Sequence, residues 1–341
     1  MTIAKKGVLL INIGTPAAPT TKAVRAYLKE FLSDPSVIDL PSPVRYLLLR
    51  GAILPFRASK SAKAYQKIWQ PGGSPLMLHT LSLKQKLQQA LGTGYVVEIA
   101  MRYGLPSIEN SIQKLLANCN DISFLPMFPQ YSIATTGSAR KKIEQFLQNN
   151  NLSLPVRWIE SFYTENWYIA ALAKSILPYW QQQKADALLL SYHGLPERQL
   201  DKAGAGCVNC DRLNACPSIN STNKICYRAQ CYATSLAVVA RLQIPKENYY
   251  VAFQSRLGRI SWIKPYTDEL LETLYNKGIR RLAVACPAFV ADCLETIEEI
   301  GIRAKQQWLA LGGEELFLIP CLNDQQVWVE ALSEMLSTKN A

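Results

Sequence analysis

Histidine is scarce in this chain: there are two, His79 and His193, in 341 residues, so imidazole chemistry has only two places to occur. Long apolar runs are lacking as well. Nowhere do about 18 apolar residues follow one another without a charge or a proline, so no spanning helix is expected. Lys5 and Lys6 precede an apolar stretch, but it runs into Gly14-Thr15-Pro16 rather than a small-residue cleavage site and reads as a first strand, not a secretory leader. The nucleotide signatures are missing too. There is no G-x-x-x-x-G-K-S/T loop, no G-x-G-x-x-G opening a helix and no G-x-S-x-G elbow, which disfavours phosphate-loop NTPases, dinucleotide enzymes and serine hydrolases and predicts no nucleotide cofactor. Lysine and arginine outnumber the acids by 37 to 26, a net charge of +11, which calls for an anionic partner. Yet no basic arm, zinc-finger, homeodomain or aromatic-basic RNA signature accompanies that charge, so no nucleic acid is expected. The expected location is cytoplasmic, or peripheral on the inner face of the cytoplasmic membrane.

What is present is a large apolar fraction, 49%, in a chain longer than the roughly 250 to 300 residues at which single cores stop growing, so two domains are expected. Short β-branched runs at 8–13, 96–101, 122–127, 187–192, 250–253, 282–286 and 316–319 each end in a loop and precede a helical pattern. Their apolar stretches are continuous rather than alternating, as in strands covered on both faces, and strand-then-helix repetition means α/β architecture with parallel sheets. The series restarts after the polar, proline-marked stretch 148–155. This predicts two similar halves, 1–150 and 151–330, with a cleft between them, although the halves show no sequence repeat. Ligands of such sheets sit at the carboxyl ends of the strands, and chemistry is sought in the loops that follow.

Three of those loops stand out. His193 follows the run 187–192 and precedes Gly194-Leu195-Pro196, a strand's carboxyl end on a turn, which suits a general base or metal ligand. It equally fits a turn histidine bonded to backbone; for His79 the structural role is the better one. The second loop follows 282–286 and carries Asp292, Glu295, Glu298 and Glu299. At about 100° per residue Asp292, Glu295 and Glu299 fall on one helical stripe and Glu298 points elsewhere. Such a stripe forms a cation path or proton relay, though acids in a first turn also simply complement the helix dipole. The third, Phe128 to Ser138, gathers hydroxyls and Tyr131 ahead of a helix, able to bind a carboxylate or merely to cap. Arg102 and Tyr103, just past 96–101, add a cation and a flat face.

Five of the nine cysteines, Cys207, Cys210, Cys216, Cys226 and Cys231, fall close together. In an intracellular chain with an odd cysteine total, ligation of a metal or cluster is a better reading than disulfides. Cys207, Cys210, Cys216 and Cys226 supply four soft ligands in a polar loop at 205–226, fit for an iron–sulfur cluster or tetrahedral zinc.

The segments Asn12-Ile13-Gly14-Thr15-Pro16, Gly73-Ser74-Pro75, Phe128 to Ser138, Ser191-Tyr192-His193-Gly194-Leu195-Pro196, Gln254-Ser255-Arg256-Leu257-Gly258 and Asp292-Cys293-Leu294-Glu295-Thr296 resemble, in order, the motif series of the ferrochelatases, over nearly the whole chain. The resemblance implies two Rossmann-like, chelatase-like domains with an interdomain cleft, and insertion of Fe²⁺ into protoporphyrin IX to give protoheme, the last step of heme biosynthesis. Position by position it implies His193 as the metal-site histidine, with Glu295 and Glu299 as the acids facing it. It places Ile13, Arg102, Tyr103, Tyr131 and Trp262 on the porphyrin, and a π-type widening in the helix after Asp292. Relatives that hold a [2Fe-2S] cluster favour that group over zinc for Cys207, Cys210, Cys216 and Cys226.

Two departures stand out. Many relatives carry histidine where this chain has Cys293, which removes an imidazole from the acidic side. Ile13 stands where some place an aromatic, favouring protoporphyrin over coproporphyrin. The apolar, arginine-dotted strip 44–58 fits a hydrophobic lip at an anionic lipid surface, or else a buried helix. The rival functions are a related chelatase for cobalt or nickel, and a non-catalytic cluster- or heme-binding sensor.

Overall fold

The computed structural model describes residues 5–202, 216–256, 258 and 260–338. It divides into two compact units: one runs to Phe128 and takes in Ile133–Ser161 and the chain from Asp324 onward; the other comprises Pro129–Ser132 and Phe162–Asn323.

The first unit is built on β1 (Lys5–Gly14), β2 (Tyr95–Tyr103), β3 (Cys119–Pro126) and β4 (Val156–Trp158), the second on β5 (Ala187–His193), β6 (Tyr249–Gln254), β7 (Arg281–Ala285) and β8 (Glu315–Leu318). Among the described residues every pairing between these strands is parallel. The orders are β2-β1-β3-β4 and β6-β5-β7-β8, so both sheets place their strands second, first, third, fourth. The sequence expectation of α/β architecture with two parallel sheets is met. All seven expected runs are strands; the eighth, β4, is a three-residue edge strand that lies just past Pro155.

The strands form because continuous apolar runs are buried on both faces. Val8, Leu9, Leu10 and Ile11 in β1 and Leu188, Leu189 and Leu190 in β5 are wholly buried. Amphipathic helices cover the sheets: Ile108, Ile112 and Leu115 pack with Leu9, Ile11 and Phe124 in the first unit, and Leu271, Leu274 and Trp308 with Leu189, Leu282 and Val284 in the second. Sequence signals set the helix ends. Ser74 caps the helix Pro75–Leu91 by accepting from Met77 N–H, Pro75 takes its first turn, and Gly92 ends it at φ 71°. The C-terminal helix Gln326–Ser337 belongs to the first unit, where the Tyr95 hydroxyl donates to Leu336 O at 3.3 Å.

In each order the chain leaves the central strand in opposite directions on its two sides, between β1 and β3 and between β5 and β7. Side chains placed there, at the carboxyl ends, face an open crevice rather than a packed helix. His193 is the last residue of β5, and the acidic helix follows β7. Among the described residues no helix is long and apolar enough to cross a membrane.

Candidate active site

His193 is held from three sides. In the sheet it is registered against Gln254, and Gly194 N–H donates to Gln254 O at 2.8 Å. A Cβ at Gly194 would lie 2.8 Å from that same carbonyl, so only glycine lets the strand turn here. The ring nitrogen Nδ1 is 2.6 Å from Gly194 O. A carbonyl only accepts, so Nδ1 carries the proton in the neutral ring and Nε2 is left as the basic nitrogen. The Phe289 ring meets the imidazole edge-on at 6.2 Å. The Tyr227 hydroxyl donates to the His193 carbonyl at 2.8 Å.

The acids arrive on a helix of unusual winding. Cys293, in extended backbone, opens it with a reciprocal cap against Thr296, and Leu294–Ala304 is a π-helix, the widening that the family resemblance implies. This revises the helical stripe read from sequence. Asp292 lies before the helix, so no helical angle applies to it. It is 6% exposed, and its carboxylate accepts from the Asn323 amide (2.7 Å), Thr296 Oγ1 (2.9 Å) and Cys321 N–H (3.3 Å). Asp292 therefore anchors the loop. Nor does Glu298 stand apart: the wider turn lets Arg303 donate to Glu298 at 2.7 Å and to Glu299 at 2.9 Å.

Glu299 and Glu295 differ in how they are held. Glu299 accepts from Arg303 on one oxygen and, on the other, from Ser255 Oγ and from Gln254 Nε2 at 3.2 Å. Glu295 is fixed by its main chain, which accepts from Gln254 Nε2 at 2.7 Å, while its carboxylate neighbours the Cys293 thiol. Burial, then the Glu295 charge, pushes that thiol well up; Cys286 and Cys321 are likewise pushed up, first by burial and then by Asp292. These three are neutral thiols at neutral pH.

Gln254, 5% exposed, is the residue whose role the sequence reading missed. Its amide joins the strand beside His193 to the acid helix, and its Oε1 accepts from Ser191 Oγ at 2.7 Å. Ser255, the donor to Glu299, sits at φ 68°, a conformation that non-glycine residues hold only where surroundings impose it. Trp262 is buried, bridges to Pro196 and lies against Gly194. Tyr131, half-buried, donates its N–H to Gln230 Oε1 at 2.6 Å. His193, Glu295, Glu299, Tyr131 and Trp262 thus all belong to the second unit.

Ile13, Arg102 and Tyr103 belong to the first. Ile13 is half-buried near the end of β1. At the end of β2, Arg102 and Tyr103 converge on Asp34, whose carboxylate accepts from Arg102 Nη2, the Tyr103 hydroxyl (2.9 Å) and Ser138 Oγ (2.6 Å). Burial alone would raise the Asp34 carboxyl, but these donors and the Arg102 charge outweigh it and hold it below its usual value. Tyr103 is 1% exposed, and its hydroxyl is pushed far up, mainly by burial. His79 lies 3.5 Å from Asp324, which also takes Lys86 and Ser82, a structural cluster as the sequence favours. The strip 44–58 forms the helix Ser42–Leu48, a π turn at Leu49–Ile53 and the start of the helix Leu54–Ile68. Val44, Tyr46, Leu47 and Phe56 stand exposed, Phe56 by 77%.

Of the cysteine segment, Cys207 and Cys210 lie outside the described residues. Cys226 is buried at the cap of the helix Tyr227–Leu242, and Cys216 is half-buried. Both lie close enough to the buried Cys231 to push its thiol up, after burial itself and against a hydrogen bond with Tyr227. Among the described residues no group of three histidines, cysteines or acids is disposed to hold a metal.

The family model for ferrochelatase matches residues 5–340. A ferrochelatase of Legionella pneumophila is 48% identical over 335 residues, covering 98% of this chain and 99% of that one. One of Coxiella burnetii is 49% identical over 332 residues, covering 97% and 93%. In fold the chain is similar to SirB from Bacillus subtilis solved with Fe³⁺ (TM-score 0.52, 9% identity, covering 97% of this chain and 94% of that one).

Proposed function

Since the chain belongs to the ferrochelatase family, we infer that it is a ferro-lyase that takes ferrous iron and a porphyrin as substrates, and that the product is protoheme. The observation that carries the chemical reading is the meeting, in one unit, of an imidazole with a free basic nitrogen at the end of β5 and two glutamates on the π-helix after β7, joined through Gln254.

Insertion replaces two pyrrole N–H protons by one Fe²⁺, so two protons must leave the macrocycle. Nε2 of His193 accepts a pyrrole proton, and the Glu295 carboxylate takes or relays another and meets the metal. Glu299, held by three donors, supplies a fixed negative charge beside it. The ring is bound by Ile13, Arg102, Tyr103, Tyr131 and Trp262; holding it bent exposes nitrogen lone pairs and directs binding energy to the transition state. Because Arg102 and Tyr103 are turned onto Asp34, their part is to shape the pocket wall. Ile13 supports protoporphyrin IX as the porphyrin. Steady-state insertion with iron, cobalt and nickel in competition tests this reading: iron should be preferred. A preference for cobalt or nickel would make the protein a different chelatase, and no insertion of any metal would make it a binding protein.

Two finer assignments accompany the reading. Cys207, Cys210, Cys216 and Cys226 would hold a [2Fe-2S] cluster. The donor set fits in its chemistry, since thiolates are the ligands of such clusters. Bound there, the group supplies a one-electron centre and a covalent staple for the segment. A brown protein with iron and sulfide supports it; a colourless one with one zinc per chain rejects it. The exposed apolar side chains of 44–58, beside Arg50 and Lys60, form a lip that rests on an anionic lipid surface, consistent with lipophilic substrate and product in the cytoplasm.

A further inference from the structure

The carbonyl of His193 has lost the partner its place in the sheet would give it. Successive backbone groups of a strand point alternately to its two neighbours. Gly194 N–H is used by β6, through Gln254 O, so the N–H and C=O of His193 face the other side, toward β7. The ladder between β5 and β7 runs from Ala187 only to Leu190, three residues short. A strand-end carbonyl at this depth needs a donor, and the Tyr227 hydroxyl supplies it at 2.8 Å.

Tyr227 is placed by the cysteine segment. It follows Cys226 directly, is the first residue of the helix Tyr227–Leu242 and is 7% exposed. Cys226, itself 3% exposed, caps this first turn, and its carbonyl accepts from Gln230 N–H at 3.0 Å. A phenol has one proton and gives it to His193 O, so the first turn of the helix is tied through Tyr227 to the main chain of His193. Two turns further along, the same helix is tied to β5 separately, by the Tyr192 hydroxyl and Ser235 Oγ at 2.8 Å.

We propose that Tyr227 is a positioning residue: it fixes the main chain that carries the His193 imidazole and makes that position depend on Cys226, which caps the same first turn. The functional half of this rests on the reading of His193 as the base. A change at Cys226 shifts the first turn of the helix, and Tyr227 passes the shift to His193.

The test exploits the scarcity of histidine. With ring-labelled histidine the protein has two imidazole signals, assigned by the His79→Gln variant. Tyr227→Phe keeps the buried ring and removes only the oxygen. It should move or broaden the His193 signal, leave that of His79 in place, and lower kcat for ferrous insertion about fivefold, the value of one net hydrogen bond, with KM for porphyrin within about twofold. Ser235→Ala, which releases the same helix from Tyr192, should leave the His193 signal in place; if it moves the signal as far, general softening replaces the tether. Cys226→Ser should shift the His193 signal in the parent and produce no further shift in Tyr227→Phe, whereas equal shifts in both backgrounds would overturn the coupling. An unmoved His193 signal in Tyr227→Phe overturns the proposal outright. A moved signal with unchanged kcat upholds the tether and overturns the assignment of His193 as the base.

Discussion

The two sheets have the same strand order and place different chemistry at the same point of it. In the second unit the carboxyl end of the first strand carries His193 and the helix after the third carries Glu295 and Glu299, all tied into one hydrogen-bonded array by Gln254. In the first unit the corresponding strand ends in Ile13 and Gly14. At Gly14 a side chain would meet Tyr103 O at 1.9 Å and φ is 112°. Its nearby polar groups, Arg102, Tyr103 and Ser138, are satisfied by Asp34. One topology thus carries the proposed reactive centre in one unit and the proposed binding wall in the other. The fold supplies the crevice, and only the residues at strand ends decide what it does.

The comparison breaks most readily at its two histidines. His193→Ala should lower ferrous insertion by about 10²- to 10⁴-fold, the range of a general base, while His79→Ala stays within about twofold; equal effects in a stopped-time assay would dissolve the contrast between the units. Next is the difference between the two glutamates. Glu295→Gln should reduce kcat by about 10²-fold or more, and Glu299→Gln only about tenfold, because Glu299 is already held by Arg303, Ser255 and Gln254; the reverse ranking would exchange their roles. A smaller effect should fall on binding in the first unit: Asp34→Asn releases Arg102 and Tyr103 and should raise KM for porphyrin about fivefold, the loss of one or two net hydrogen bonds, with kcat near the parent value. The smallest is electrostatic. Lys86, Ser82 and His79 overcome the cost of burial and bring Asp324 down to about 2. Its folded carboxyl therefore holds its proton less tightly than the unfolded one, and the stabilisation it gives is present above about pH 4 and is lost as the pH falls toward 2. Melting temperatures of Asp324→Asn across that window should vary less with pH than the parent's; an unchanged slope would remove Asp324 from the account.

What sequence could and could not show follows from range. Strands such as 8–13 and 187–192 were legible because continuous burial writes an unbroken apolar run, and β4 was not, because three residues after a proline carry no period. His193 was legible as a strand-end histidine, since strand and turn are both local. Asp292 was mis-phased because the angle arithmetic assumed an α-helix already under way, whereas the helix starts at Leu294 and is wound as π. The contacts of Gln254, Arg303, Asp34 and Tyr227 left no local trace, although Gln254 opens one of the family-like motifs. Each acts through a partner that only the fold brings near, as Gln254 does with Glu295 41 positions away and Tyr227 with His193 34 away.

The most direct measurement is an anaerobic incubation of the purified chain with protoporphyrin IX and ferrous iron, followed through the Soret and visible bands. The account predicts conversion of the free-base porphyrin spectrum to that of protoheme over many turnovers, abolished in His193→Ala. A porphyrin that binds and keeps its free-base bands with the wild-type protein would contradict it.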